Sequence, residues 1–257
     1  MTTVEQPADR VDYGGYYGPL SQWYDMVYIG RGKDFTSEAK DVADIIRARR
    51  PDATSLLDVG CGTGEHLLRW RTMFALVEGV DISPDMRAVA QAKVPDVRIH
   101  LGDMRDFELG RTFDGICSLF STIGYMTSTD ELDAAIANLA RHLTPGGVLV
   151  AEPWWFPEQF LDGYIGHDVV VRDGATVARV VRTTMVDGVA HLEAHYAAAD
   201  PDGIRSFVHV QRFTLFEYTD YRDAFVRAGC EVEYIRDPGA NMTSTGRGLF
   251  VGVRRHP

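Results

Sequence analysis

The stretch that most limits what this chain can fold into is Leu56-Leu57-Asp58-Val59-Gly60-Cys61-Gly62-Thr63-Gly64, an apolar run closing on three alternate glycines. The run reads as a buried strand over Ser55–Val59, followed by a glycine turn and a helix over Glu65–Met73. Glycines adopt positive φ and let the backbone approach a bound molecule closely. A helix that starts there presents free N–H groups to it. The dinucleotide fingerprint G-x-G-x-x-G needs glycine at position 65, where this chain has Glu65. The spacing G-x-G-x-G speaks against a nicotinamide.

The turn is the first of several strand–helix units. Leu76–Val80 reads as a strand. Ser83 caps a helix that Pro84 opens and that runs to Lys93. Strands follow at Val97–Leu101 and Phe113–Phe120. Asp130 is expected to cap an amphipathic helix to His142, with Leu132, Ile136 and Leu139 in phase. Thr144–Gly147 reads as a turn, then Val148–Glu152 as a buried strand. Repeated units of this kind predict an α/β fold with a mostly parallel sheet and helices on both faces. Upstream lie a short aromatic helix over Pro19–Ile29 and a helix from Asp34 or Thr36 to Arg49. Downstream, period-two alternation over Asp168–Arg172, Thr176–Thr184, Val189–Ala197 and Ser206–Phe216, with Asp187-Gly188 as a hairpin turn, predicts an antiparallel β insertion near residues 167–216. The chain then returns to a helix at Thr219–Ala228 and strands at Glu231–Ile235 and Gly248–Val253.

Composition removes several function classes. The 257 residues suffice for a core without staples, and the count resolves to one domain carrying an insertion. A net charge of −11, from 26 basic and 37 acidic residues, is a poor match for a phosphate backbone, so no nucleic acid is expected as partner. Three cysteines (Cys61, Cys117, Cys230) cannot all pair and share no metal-type spacing, which fits a reducing compartment. No apolar run approaches about 20 residues, so no membrane span is expected. The polar, acid-bearing start does not read as a signal peptide, and a cytoplasmic location is expected. His191, Glu193 and His195 would share one face of a strand, but they lack the H-E-x-x-H order and read as a solvated strand face, so no metal is expected.

Two acids complete the pattern begun at the glycine turn. Asp81 ends the second strand, where an acid can accept from both hydroxyls of a ribose. Asp103 follows the third strand, where it can accept from an adenine amino group while Met104 packs on the ring. With Asp58, Gly60, Gly62 and Gly64, this ordered set resembles the class I S-adenosylmethionine-dependent methyltransferases. That resemblance implies a Rossmann-like seven-stranded sheet whose last strand is antiparallel, with S-adenosylmethionine as cofactor. It adds Ile82 and Phe120 to the cofactor set. An N-terminal lid over residues 1–33 would bring Tyr24 and Arg31 over the cofactor. For Tyr24, a place in the helix core fits the spacing equally well.

Four further stretches narrow the family: Tyr24–Tyr28 with Gly30–Asp34, Gly102–Phe107, Glu152-Pro153-Trp154-Trp155-Phe156-Pro157-Glu158, and Gly246-Arg247-Gly248-Leu249-Phe250. Together they resemble the dTDP-amino-sugar N,N-dimethyltransferases, and among these the enzymes acting on dTDP-3-amino-3,6-dideoxyhexoses of the desosamine and mycaminose type. The resemblance runs from about Tyr24 to Val253. It implies a homodimer that methylates a sugar amine twice in antibiotic deoxysugar biosynthesis, with the β insertion as substrate cover or dimer surface.

Within that frame Tyr125 is the candidate catalytic residue, orienting or desolvating the amine, against the alternative of an aromatic loop residue packed on the sheet. Trp154 and Trp155 are candidates to stack on thymine or sugar, or to fill the core. Glu152 can accept from thymine or a sugar hydroxyl, or cap the turn at Pro157. Arg247 can reach a pyrophosphate, or stand at the surface. Tyr16, with Tyr13 and Tyr17, can close over a sugar nucleotide, or belong to a leader. Three rival functions stay open: the same dimethylation on a dTDP-4-amino-deoxyhexose, methylation of a finished metabolite, and cofactor binding without catalysis.

Overall fold

The computed structural model describes residues 18–236 and 248–256. Two sheets organise them. The first has seven strands: β1 (Ser55–Val59), β2 (Leu76–Asp81), β3 (Arg98–Leu101), β4 (Phe113–Ser118), β5 (Leu143–Ala151), β10 (Cys230–Ile235) and β11 (Leu249–Arg254). Their spatial order is β10-β11-β5-β4-β1-β2-β3. β1 pairs in parallel with both β2 and β4, and only β11 runs against its neighbours β5 and β10. The chain order therefore reverses between β1 and β4, and in such sheets ligands bind beyond the strand carboxyl ends at that point.

Strand alternation sends side chains to two cores. Leu57, Val59 and Ile116 face α5 (Thr129–Arg141) and α6 (Tyr218–Arg227), where Leu132, Ile136, Leu139 and Phe225 bury their stripes. Leu56 and Cys117 face α2 (Phe35–Arg49), α3 (Glu65–Trp70) and α4 (Pro84–Lys93). α2 starts where the Asp34 carboxylate accepts the Thr36 and Ser37 N–H groups, and α4 where Ser83 accepts from Met86.

The helix read to Met73 ends at Trp70, the run Ser206–Phe216 becomes Gly203–Phe213, and the aromatic helix read from Pro19 becomes α-helical only at Tyr24. Three further boundaries move for local reasons. α5 is capped by Ser128, not Asp130, because Ser128 adopts the extended backbone of a cap and its hydroxyl accepts the Glu131 N–H. β5 already begins at Leu143, since a register shift between Phe113 and Gly115 of β4 absorbs the Thr144–Gly147 stretch into the sheet. β4 stops at Ser118, because Phe120 and Ser121 turn out of the strand with φ of 54° and 62°.

The second sheet is the insertion: β6 (Ile165–Arg172), β7 (Ala175–Val186), β8 (Val189–Asp200) and β9 (Gly203–Phe213), antiparallel in sequence order. Its inner face packs Val177, Val181, Ala194 and Tyr196 on Val27 and Tyr28 of α1 (Tyr24–Gly30). The sheet thus lies as a roof over the N-terminal segment. Its outer face exposes Ile165, Val169, Val171, Val180, Ile204 and Val208. His195 and Glu193 hydrogen-bond each other on that solvated face, and among the described residues no group of three His, Cys, Asp or Glu side chains could hold a metal.

Candidate active site

Between the roof and the strand ends of the main sheet lies a cavity of about 920 Å³. One end is built by the glycine turn. Gly60 and Cys61 donate their N–H groups to Val80 O, clamping the turn to β2, and the Gly62 N–H donates to Asp81 Oδ2 at 2.7 Å. A Cβ on Gly62, whose φ is 54°, would project into open space; a Cβ on Gly60 would fall on Thr122. The turn therefore keeps a bare backbone surface beside an acid. Asp81 also accepts from the Ser83 N–H at 2.8 Å, and its burial raises its pKa. Asp103 feels burial too, but hydrogen bonds and charge from Arg105 outweigh it and hold the carboxyl below its ordinary value. Ile82 and Met104 supply apolar wall between these acids.

The N-terminal segment closes this end. Asp25 of α1 is bonded to the Thr63 hydroxyl beside the glycine turn and to Lys93 of α4, which also pairs with Glu65 at 2.6 Å. Tyr24 at the start of α1 and Arg31 just past its end reach the cavity wall, and Arg31 forms an ion pair to Asp168 at 3.1 Å. Phe120 packs edge-on to Tyr28 at 4.7 Å, with the Lys33 ammonium 4.1 Å over its ring.

The other end is aromatic. Tyr125 stacks on Phe213 at 4.6 Å, and Phe213 stacks on Trp154 at 4.0 Å. Gly124 permits this ladder, since a Cβ there would stand 2.9 Å from Trp154 Cβ. Burial pushes the Tyr125 phenol far above the ordinary tyrosine range, so it stays protonated. Trp155 also lines the cavity.

Of the residues singled out from the sequence, the cavity brings together Tyr24, Arg31, Gly60, Gly62, Asp81, Ile82, Asp103, Met104, Phe120, Tyr125, Trp154 and Trp155. Three do not line it. Asp58 is buried behind the glycine turn, where Cys117 donates to its Oδ1 and its Oδ2 has no partner among the described residues; burial lifts its pKa to about 7. Gly64 takes φ of 79° to begin α3 and faces Ala90 of α4, so its missing side chain serves helix packing. Glu152 points back to β4 and accepts the Phe120 N–H, instead of reaching toward a ligand. Tyr16 and Arg247 lie outside the described residues.

The sequence reading named the insertion as a substrate cover but none of its side chains. Asp168, Arg179, Gln211 and Phe213 all line the cavity. Arg179 is buried, pairs with Asp168 at 3.0 Å and donates to Tyr196 Oη at 3.2 Å. The signal was present in the alternation: Val177, Arg179, Val181 and Thr183 share a face, so an arginine there is a charge on the inner side of a strand.

Fold and site together define a class I methyltransferase, and a methyltransferase-domain family model matches residues 56–147. Over 231 residues the chain is 50% identical to dTDP-3-amino-3,4,6-trideoxy-alpha-D-glucopyranose N,N-dimethyltransferase of Streptomyces venezuelae, covering 90% of this chain and 95% of that one. It is 43% identical to dTDP-4-amino-2,3,4,6-tetradeoxy-D-glucose N,N-dimethyltransferase of Saccharopolyspora spinosa, covering 90% and 91%. The structure of SAM-bound CalS10, an amino pentose methyltransferase from Micromonospora echinaspora, superposes with a TM-score of 0.82 at 48% identity, covering 93% and 98%. The chain belongs to the S-adenosylmethionine-dependent dTDP-amino-sugar N,N-dimethyltransferases.

Proposed function

We propose that this chain dimethylates the amine of a dTDP-linked 3-amino-3,6-dideoxyhexose in antibiotic deoxysugar biosynthesis. The observation that carries this reading is one continuous cavity with two unlike ends. The glycine turn, Asp81 and Asp103 suit an adenosine and its methionine tail. The ladder of Tyr125, Phe213 and Trp154 suits a sugar with its base. A volume of about 920 Å³ is at the upper end of ligand pockets, ~300–1,000 Å³. The 3-amino assignment follows the higher identity to the 3-amino relative; dimethylation at C4 is the second reading, supported by the 4-amino relative.

Bound S-adenosylmethionine supplies an electrophilic methyl on a sulfonium. The chain's own work is alignment and exclusion of water. Asp81 and the bare Gly62 backbone hold the cofactor's sugar and tail, and Asp103 with Met104 holds its base. α1 and the roof close over the cavity where the transfer would take place. Tyr125, kept neutral by burial, is no base but a hydrogen-bonding partner for the amine. A neutral amine needs no strong base, and the ammonium formed can release its proton to water.

Of the expected lid over residues 1–33, residues 1–17 lie outside the described residues; in this proposal residues 18–33 act as a lid and the insertion as substrate cover. The exposed valines of the roof form the contact of a homodimer, and the enzyme works in the cytoplasm. Among the described residues, no helix is long and apolar enough to cross a membrane.

The test is incubation with S-adenosylmethionine and a panel of dTDP-3-amino and dTDP-4-amino sugars, with products weighed by mass spectrometry. Two added methyl groups on the 3-amino sugars are expected. Turnover on the 4-amino panel alone would reverse the regiochemistry, and silence on every nucleotide sugar would remove the substrate class.

A further inference from the structure

The Tyr125 hydroxyl has a partner from the roof. Gln211 of β9 is buried on the cavity wall, and its amide N–H donates to Tyr125 Oη. Phe213, two residues on and so on the same face of β9, carries the stack against the Tyr125 ring. Just past β9, the Thr214 N–H donates to Gly124 O at 3.1 Å. Three ties, from Gln211, Phe213 and Thr214, thus fix the turn that bears Tyr125 to the end of β9.

A phenol oxygen carries one hydrogen and accepts through its lone pairs. Gln211 donates into one acceptor direction, and a second remains. An amine that donates an N–H to that second direction keeps its own lone pair turned away from Tyr125 and free to attack. A phenol O–H donated into the amine lone pair would instead withdraw the electrons that form the new bond. We propose that Gln211 is a positioning residue for methyl transfer, holding Tyr125 so that its oxygen receives an N–H of the substrate amine. This rests on the reading of Tyr125 as the amine's partner.

The arrangement counts hydrogens. A primary amine has two N–H groups to offer, and the monomethyl amine has one. In each round the nitrogen pair forms the N–C bond as the methyl–sulfur bond breaks, and the resulting ammonium gives its proton to water. Gln211 and Tyr125 neither gain nor lose a proton. The dimethyl amine has no N–H left for Tyr125, so nothing orients it for a third transfer. The monomethyl intermediate, with a single N–H, depends most on the alignment.

The experiment is a double-mutant cycle with Gln211→Met, close to glutamine in size, Tyr125→Phe, and the pair, on a dTDP-3-amino sugar and S-adenosylmethionine. Mono- and dimethyl products are followed by mass, and S-adenosylhomocysteine affinity by calorimetry. Gln211→Met is expected to lower kcat by about tenfold and raise the ratio of mono- to dimethyl product. It should leave S-adenosylhomocysteine affinity within about twofold and add less than about twofold to Tyr125→Phe. Additive losses, or a uniform slowing with an unchanged product ratio, would overturn the role of Gln211. Wild-type rates for Tyr125→Phe would overturn the reading of Tyr125 itself. If Gln211→Met loses cofactor binding, Gln211→Leu removes the same donor to Tyr125 and carries the same expectations.

Discussion

Glu152 Oε2 accepts the backbone N–H of Phe120 at 2.6 Å, joining the carboxyl end of β5 to the turn that leaves β4. The turn needs such an anchor. Phe120 and Ser121 both hold positive φ, which side-chain-bearing residues adopt at a cost of roughly 1–2 kcal/mol each. The Ser121 hydroxyl adds a bond to Pro153 O at 3.1 Å. Glu152 thus sets where the segment carrying Tyr125 begins. Glu152→Ala would leave a part-buried N–H without this acceptor and is expected to cost about 1–3 kcal/mol in thermal unfolding. It should also lower kcat/KM by more than about tenfold. Glu152→Gln keeps an acceptor and should retain most of both. Equal losses in the two variants would mean that the charge, not the hydrogen bond, matters.

The glycine turn gives a paired test. Gly64→Ala sets a Cβ 3.1 Å from Ala90 Cβ, and Gly62→Ala sets one in open cavity. Both positions have positive φ, so both variants should lose about 1 kcal/mol or more in denaturant unfolding. Only Gly62→Ala should also weaken S-adenosylhomocysteine binding by more than about tenfold in calorimetry, because its methyl occupies the space beside Asp81.

Asp58 makes stability depend on pH. Its folded pKa is raised by burial from 3.8 to about 7. Between those values the folded protein binds more protons than the unfolded chain, so stability falls as pH rises from about 4 to 7 and then levels. Asp58→Asn removes the charge that burial penalises. In the ligand-free protein its Tm should rise relative to wild type at pH 8 and change least at pH 4. A Tm difference independent of pH would show that Asp58 does not titrate in this window.

On the roof's outer face Val180 pairs across strands with His195, which pairs with Val208. All three are exposed, and Ile165, Val169 and Val171 widen the apolar area. If this face joins two copies, Val180→Glu buries a charge in the contact. Light scattering should then report a monomer where the unaltered chain is a dimer. A monomeric wild type, or a dimeric Val180→Glu, counts against this face.

The boundaries of β1 and α4, and the four runs of the insertion, were legible because local rules govern them: an apolar run closed by glycine, a Ser-Pro cap, and period-two alternation. The same rules failed at Asp130, since two neighbouring cap residues compete and only the folded backbone shows Ser128 in the extended conformation. Asp81 and Asp103 were readable as site residues because strand ends in such a sheet converge. Glu152 was readable as a candidate but its partner was not, because it bonds the Phe120 N–H in a positive-φ turn that a sequence does not announce for a phenylalanine. By itself, then, the sequence determined the sheet, the glycine turn and the kind of cofactor, because each strand, turn and strand-end acid is signalled by a short local stretch and their order along the chain does the rest. Only the tertiary structure decided that Gln211 meets Tyr125 and Arg179 meets Asp168. Those contacts depend on how a distant sheet folds back over the strand ends, and neither local periodicity nor spacing carries that distance.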